Sequence, residues 1–277
     1  MSNQTIYEMV TNRIIEKLEE GTIPWRKPWH NGGAVNWVTQ KPYRGINVML
    51  LEPGEYATFK QITSAGGKVK KGAKSNFVIF WKWLDKENEE TGEEEKIPML
   101  RYYRVFEINT QVDGLESRRK VKAFEHDPLE EAEAIIKGYK NKPSYYIIPG
   151  GAFYTPATDQ IVMPPLKDFT KAEEYYSTFF HEMVHSTGHE KRLNREGVTG
   201  TIHFGSETYS KEELVAEMGA GMLCGVAGIE NVTLDNTTAY IQSWLRKLKE
   251  DKTLLVKAGS QAQKAVDHIL DITFDNE

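Results

Sequence analysis

His181-Glu182-Met183-Val184-His185 is the stretch on which the reading of this chain turns. On a helix, residues four apart lie on one face, so both imidazoles can reach one metal ion. Glu182, next to the first histidine, projects beside the metal, where a carboxylate can take a proton from bound water. The flanking residues read as a helix. Thr170 and Glu173 have the spacing of a capping box, with Thr170 as N-cap and Glu173 at the third helical position. Tyr175, Tyr176, Phe179, Phe180, Met183 and Val184 supply an apolar side, and Gly188 offers a stop. A bare HExxH pattern also arises by chance on surface helices. Here cap, apolar side and stop all agree with a packed helix, and one Zn²⁺ is the ion that its ligands suit.

Catalytic zinc keeps three protein ligands and leaves a position for water. The metzincin pattern would place its third histidine six residues after His185, where Lys191 stands. His189, one further turn along, cannot easily close a tetrahedral site, and reads as structural, as a helix-end charge or as a partner to a ligand. Residues 210–217 predict a second helix start, with acids four apart at Glu213 and Glu217. This resembles the Glu-zincin arrangement, which implies Glu213 as third ligand and Glu217 as the carboxylate that orients a ligand histidine. A rival reading stays open. Ser210 and Glu213 also have capping-box spacing, and a Glu213 engaged by the backbone would leave Glu217 as the ligand. Glu212 is expected to face solvent. With this set, zinc brings the pKa of its water to about 7, and Glu182 serves as general base and then carries the proton to the leaving group. Tyr209 and His203 are the nearby candidates for an oxyanion donor, although a structural role is the first reading of each. One metal rather than a pair argues against a nuclease.

With 277 residues the chain can hold two modest domains. A content of 39% hydrophobic and 27% charged residues is that of an ordinary globular protein. The single cysteine, Cys224, excludes an internal disulfide framework and lies in an apolar stretch, as an inert core thiol would. Ile6, Met9, Val10, Arg13 and Ile14 predict an amphipathic first helix rather than a signal peptide. No apolar run approaches the ~20 residues of a membrane span, so no membrane is expected and a cytoplasmic location is. The net charge of −5 hides an asymmetry. Residues 1–125 carry 20 Lys and Arg against 17 Asp and Glu, and the remainder 15 against 23. Trp25, Trp29, Trp37, Trp81 and Trp83 also fall in the first part.

In that part the first helix is expected to stop at Gly21, with an extended connection through Pro24 to Trp29. Short helices are expected over 46–51 and 58–65, strands over 77–83 and 100–108, and an acidic loop over 85–96. Residues 60–82 contain Lys60, Lys68, Lys70, Lys71, Lys74 and Lys82 and no acid. Four of these lysines sit on a glycine-containing turn, where they can meet a phosphate backbone. Trp37, Tyr43, Trp81 and Trp83 could supply π faces for unpaired bases, which suits a single strand better than a duplex. The competing reading makes the tryptophans core and the lysines solvation.

The whole chain resembles the ArdC-type antirestriction proteins of mobile genetic elements. The resemblance rests on Ile23-Pro24-Trp25-Arg26-Lys27-Pro28-Trp29, Tyr43-Arg44-Gly45-Ile46-Asn47, the lysine turn, Tyr103-Arg104-Val105-Phe106, the run from Phe180 through the two histidines to His189, Arg192-Leu193-Asn194-Arg195, and Tyr240-Ile241-Gln242-Ser243-Trp244-Leu245. It implies an α+β protein of two domains: a single-stranded-DNA-binding domain over 1–125 and a zincin-like metallopeptidase domain over 126–277. It does not identify which residues touch single-stranded DNA; by charge and aromatic character the candidates are Arg44, Lys60, Lys68, Lys70, Lys71 and Lys74, with Trp37, Tyr43 and Trp81. It names no protein substrate. Glu125-His126-Asp127-Pro128 reads as the boundary. A helix over 129–139, strands over 144–149 and 151–163 beside the histidine helix, and helices over 243–248 and 261–270 follow. An edge strand there could pair with an extended peptide. Two alternatives remain: a plain zinc peptidase whose first domain recruits substrate, and a DNA-binding protein whose zinc is structural or vestigial.

Overall fold

The structure is a computed structural model that describes residues 2–26, 33–87, 94–119, 127–200, 207–229 and 238–273. It begins with α1 (Asn3–Glu19), capped by the Ser2 hydroxyl and ended before Gly21, whose φ of 80° is costly for other residues. Trp25 sits in a single 3₁₀ turn, Pro24–Arg26. Then come β1 (Ala34–Asn36), α2 (Asn47–Leu50), β2 (Gly54–Thr58), α3 (Phe59–Ser64), β3 (Lys68–Val69), β4 (Asn76–Glu87), β5 (Glu94–Glu107), α4 (Ile108–Gln111) and β6 (Val112–Asp113). α3 carries a complete capping box between Thr58 and Gln61. One sheet has the order β1-β2-β5-β4, antiparallel except for β1 beside β2, and β3 pairs with β6. Of the acidic stretch expected as a loop, residues 85–87 and 94–96 are strand, and the rest lies outside the described residues. β4 and β5 stay paired out to Glu87 opposite Glu94, because the ladder continues past the apolar residues that suggested its end.

The second half comprises α5 (Pro128–Gly138), β7 (Ser144–Ile147), β8 (Phe153–Thr155), β9 (Gln160–Met163), α6 (Ala172–Thr187), α7 (Glu196–Thr199), α8 (Glu207–Ala227), α9 (Thr238–Glu250) and α10 (Leu254–Ile269). Its sheet runs β7-β9-β8, which leaves β8 an edge strand. Mixed helix and sheet in two modules make the protein α+β. Trp29, His203 and half of the expected boundary, Glu125 and His126, lie outside the described residues.

One continuous core joins the halves. Ile6, Val10, Ile14 and Leu18 of α1, with Trp25, Met49, Ile79 and Leu100, pack in the same cluster as Phe180 of α6, Leu223 of α8 and Val266 of α10. Polar contacts pin the seam. Thr11 Oγ1 donates to Lys252 O (2.7 Å), Gly45 N–H donates to Gln263 Oε1 (2.8 Å), and Arg44 forms a bidentate ion pair with Asp267. Trp25, fully buried, meets Trp244 edge-on at 5.8 Å and donates from Nε1 to Glu217 Oε2 (3.0 Å).

α6 and α8 approach closely at Gly219. A Cβ built there would lie 2.7 Å from Val184 Cγ2, closer than atoms pack. Helix propensity alone makes Gly→Ala favourable by about 1 kcal/mol. The clash reverses that sign, because Val184 is β-branched and fully buried and has no rotamer to escape into. Gly219→Ala should therefore destabilise the protein by about 1–3 kcal/mol in urea unfolding, a typical cost of overpacking. A gain in stability would show that the two helices separate without cost.

Candidate metal centre

α6 buries Tyr176, Phe179, Phe180, Met183 and Val184, which turns His181 and His185 toward α8. The helix ends at Gly188 as expected, but its start differs. Lys171 is the N-cap and makes no side-chain cap, while Thr170 N–H donates to Glu174 Oε2 (3.2 Å). The expected Thr170–Glu173 box therefore does not form, because the helix begins one residue later and Glu174 reaches back instead.

His181 and His185 bring their Nε2 atoms to 3.0 Å of each other. Glu213 of α8 places Oε2 3.6 Å from His181 Nε2 and Oε1 3.5 Å from His185 Nε2. Ligands held about 2.1 Å from one ion at tetrahedral angles stand about 3.4 Å apart, so this set could hold a divalent cation. It is a three-residue cluster with ligand atoms all within 4.8 Å of one another. The rival capping-box reading of Glu213 does not apply, since α8 starts at Glu207 and Ser210 is interior. Burial opposes charge on His185, yet hydrogen bonds to Glu212 and Glu213 push it up to about 10. Against its own burial, Glu213 is held well below the usual carboxylate range by the two histidines.

Glu212 was expected to face solvent, and instead it is 5% exposed. Its Oε1 lies 3.3 Å from His185 Nδ1, the nitrogen turned away from Glu213. Arg195, also buried, grips both Glu212 oxygens through Nε (2.9 Å) and Nη2 (2.6 Å). Its remaining donors go to Thr187 Oγ1 (2.6 Å) and Val184 O (2.8 Å), which ties the pair to the end of α6. Glu217, the carboxylate expected to orient a histidine, has Oε2 on the Trp25 indole instead. One turn along α8 from Glu213 takes it away from the histidine pair and toward the seam. A single sequence offers no signal for Glu212 beyond the Arg192-Leu193-Asn194-Arg195 stretch that could supply its partner.

The centre opens into a cavity of about 380 Å³ lined by Ala152, Phe153 and Tyr154 on one side and by Glu182, Tyr209 and Glu213 on the other. Glu182 is 7% exposed. Burial, with Glu213 and Glu182 beside it, pushes the Tyr209 phenol up to about 12, so it stays a donor at neutral pH. His189 is buried in the turn after α6, where its Nδ1 accepts from Lys191 N–H (3.2 Å).

A second buried guanidinium holds β8 and β9 against the end of α6. Arg192 donates to Ser186 O (2.7 Å), Asn141 O (3.1 Å), Tyr154 OH (3.3 Å) and both Asp159 oxygens. Tyr154 OH in turn donates to Asp159 Oδ1 (2.9 Å).

The nucleic-acid candidates are scattered. Lys60, Lys68, Lys71, Lys74 and Trp81 are exposed. Lys70 donates to Thr110 O (3.1 Å). Trp37 is half-buried, its indole on Glu116 O (2.9 Å) and its ring under Arg118. Tyr43 is 8% exposed between Tyr56 and Phe80, so it offers no free π face. Arg44 is engaged by Asp267 at the seam.

Residues 4–106 match the model of the N-terminal domain of anti-restriction factor ArdC, and residues 130–261 match that of a zincin-like metallopeptidase. The crystal structure of the antirestriction ArdC protein from the R388 plasmid, metal-free, superposes with a TM-score of 0.75 at 37% identity, covering 96% of this chain and 97% of that one. The chain belongs to the ArdC family. The Mn(II)-bound form of the same R388 protein gives a TM-score of 0.76 at 36% identity. The uncharacterized protein y4eC of Sinorhizobium fredii is 32% identical over 95% of this chain and 90% of its own length. Two Escherichia coli proteins named DNA primase TraC are 32% and 35% identical, and this ArdC-family chain spans only 20% and 27% of their lengths.

Two outcomes are expected. Glu212→Gln should weaken divalent-metal affinity about 10- to 100-fold in competition with a chelator, as loss of a ligand-orienting partner does. Unchanged affinity would mean that Glu212 serves packing alone. Asp159, despite burial, is held below its ordinary pKa by Arg192 and Tyr154. Its unfolded value is about 3.9, so the stabilisation is complete above that pH and is lost as pH falls through the lower folded value. Asp159→Asn should cost about 3 kcal/mol at pH 7 and flatten the acid limb of the stability curve.

Proposed function

We propose that this protein is an antirestriction-type protein of a mobile element, which binds single-stranded DNA through residues 1–125 and hydrolyses a protein substrate at one Zn²⁺ held by residues of 126–277. The observation that carries the peptidase half is the convergence of His181, His185 and Glu213 in one cavity with Glu182. His181 and His185 would bind the ion through Nε2 and Glu213 through a carboxylate oxygen, with Glu212 fixing the ring of His185. A divalent ion there supplies Lewis acidity toward a peptide carbonyl and acidifies a water. Glu182 takes a proton from the attacking water and delivers it to the nitrogen of the leaving amine. Tyr209, neutral, donates toward the oxygen on which charge develops. β8, an edge strand lining the cavity, pairs with the extended substrate backbone, and half-exposed Phe153 contacts its side chains.

The DNA half is supported by the family of residues 4–106 and by the exposed Lys60, Lys68, Lys71 and Lys74. Bound to entering single strands, the protein would deny host restriction enzymes their substrate, which places it in the cytoplasm. No helix of the described residues is long and apolar enough to cross a membrane.

Glu182→Gln separates this reading from a structural or vestigial metal. The variant should fold and bind one equivalent of metal, while cleavage of a denatured protein substrate, with and without an added oligonucleotide, falls about 10²- to 10⁴-fold. Wild-type cleavage by the variant would remove Glu182 from the chemistry.

A further inference from the structure

The cross-strand register of β4 and β5 assigns side chains to two faces. Val78 pairs with Tyr103 and Phe80 with Arg101, and paired residues share a face, so Val78, Phe80 and Lys82 line up with Arg101, Tyr103 and Val105. Near β2 this face is buried, with Val78 and Val105 packed on Tyr43, Leu51 and Tyr56. Farther out nothing among the described residues covers it. Phe80 is 45% and Tyr103 44% exposed, their rings edge-to-face at 5.9 Å. Tyr43, buried, abuts Phe80 at 6.2 Å and fixes its position from one side. Arg101 and Lys82, both exposed, flank the two rings on the same face, and neither is ion-paired among the described residues.

Single exposed apolar residues are ordinary. Two adjacent exposed rings, bordered by cations that have no ion-pair partner among the described residues, are not, and their chemistry matches one ligand. A nucleobase offers a π face to each ring, and the phosphates on either side of it offer anions to Arg101 and Lys82. A duplex keeps its bases stacked on one another, so the fit is to unpaired nucleotides.

We propose that Phe80 and Tyr103 are the base-stacking platform of this protein, with Arg101 and Lys82 as its phosphate contacts. The proposal rests on the single-strand reading above and deepens it. It moves the recognition of bases from Trp37 and Tyr43, which the fold encloses, to a sheet face.

Anisotropy of a labelled oligothymidylate, titrated with the full-length protein across a salt series, tests it. Phe80→Leu and Tyr103→Leu keep an apolar side chain but remove the π face. Each should raise Kd roughly 5- to 150-fold, the cost of losing one stacked base. Neither should change the slope of log K against log salt. Arg101→Gln should lower that slope by about 0.7, one phosphate contact on a single strand. Phe80→Trp and Tyr103→Phe should retain affinity, which a merely structural role for aromaticity would not separate from the leucine variants. Tyr103→Leu keeps the test intact should Phe80→Leu disturb Tyr43, and thermal melting identifies such a disturbance. Tight wild-type binding with both leucine variants within twofold of it would overturn the platform while leaving single-strand binding standing. Absence of wild-type binding at low salt would take down both.

Discussion

A guanidinium buried between helices is the interaction on which the candidate metal centre depends. Arg195 and Glu212 are both almost inaccessible, and a charge pair removed from water to that extent contributes little net stability unless every donor is used. Here all three side-chain nitrogens of Arg195 are engaged: Nε and Nη2 with Glu212, Nη1 with Thr187 Oγ1, and Nη2 again with the Val184 carbonyl. The pair therefore acts less as a source of stability than as a fixed post. It sets Glu212 against His185 Nδ1, and the adjacent residue on α8, Glu213, is thereby delivered to the other side of the same ring. Two neighbouring carboxylates bracket one imidazole, one on each nitrogen.

That arrangement requires α6 and α8 to be close, which Gly219 against Val184 permits. It also requires the loop carrying Arg195 to fold back on the end of α6. Arg192 and Arg195 do this together, the first reaching Asp159 on the strand side and the second reaching Glu212 on the helix side. The four-residue stretch after the histidines is thus a double clasp: one arginine holds the wall where β8 lies, the other holds the carboxylate that steadies His185. Both walls of the cavity are fastened to the same end of the same helix.

The N-terminal module is not a separate bead. α1 contributes to the core that packs α6, α8 and α10, and Trp25 spans the seam to reach Glu217 on the helix that also bears Glu212 and Glu213. Arg44, a candidate nucleic-acid contact, and its neighbour Gly45 are anchored on α10. Among the described residues, Phe80 and Tyr103 on the β4–β5 face and the lysine turn are exposed, and they can meet a partner without dismantling the core.

The histidine helix, its stop at Gly188, the capped α3 and the lysine-rich turn were legible in the chain because each depends on neighbours within a turn or two. The same local logic failed where a choice lay between positions that periodicity makes equivalent. Glu213 and Glu217 share a face of α8, so spacing cannot decide which meets the histidines. Glu212 lies about 100° around that helix, on a face whose burial depends on where α6 and Arg195 come to rest. Tyr43 is buried because Leu51, Tyr56, Val78 and Val105 from separate segments pack with it, whereas Phe80 lies farther out along β4. Sequence alone determined which side chains could bind metal and where the long histidine helix would run. The tertiary structure decided which carboxylate stands at the histidines, which one steadies them, and which aromatic rings are left facing water, because those outcomes depend on distances between elements far apart in the chain.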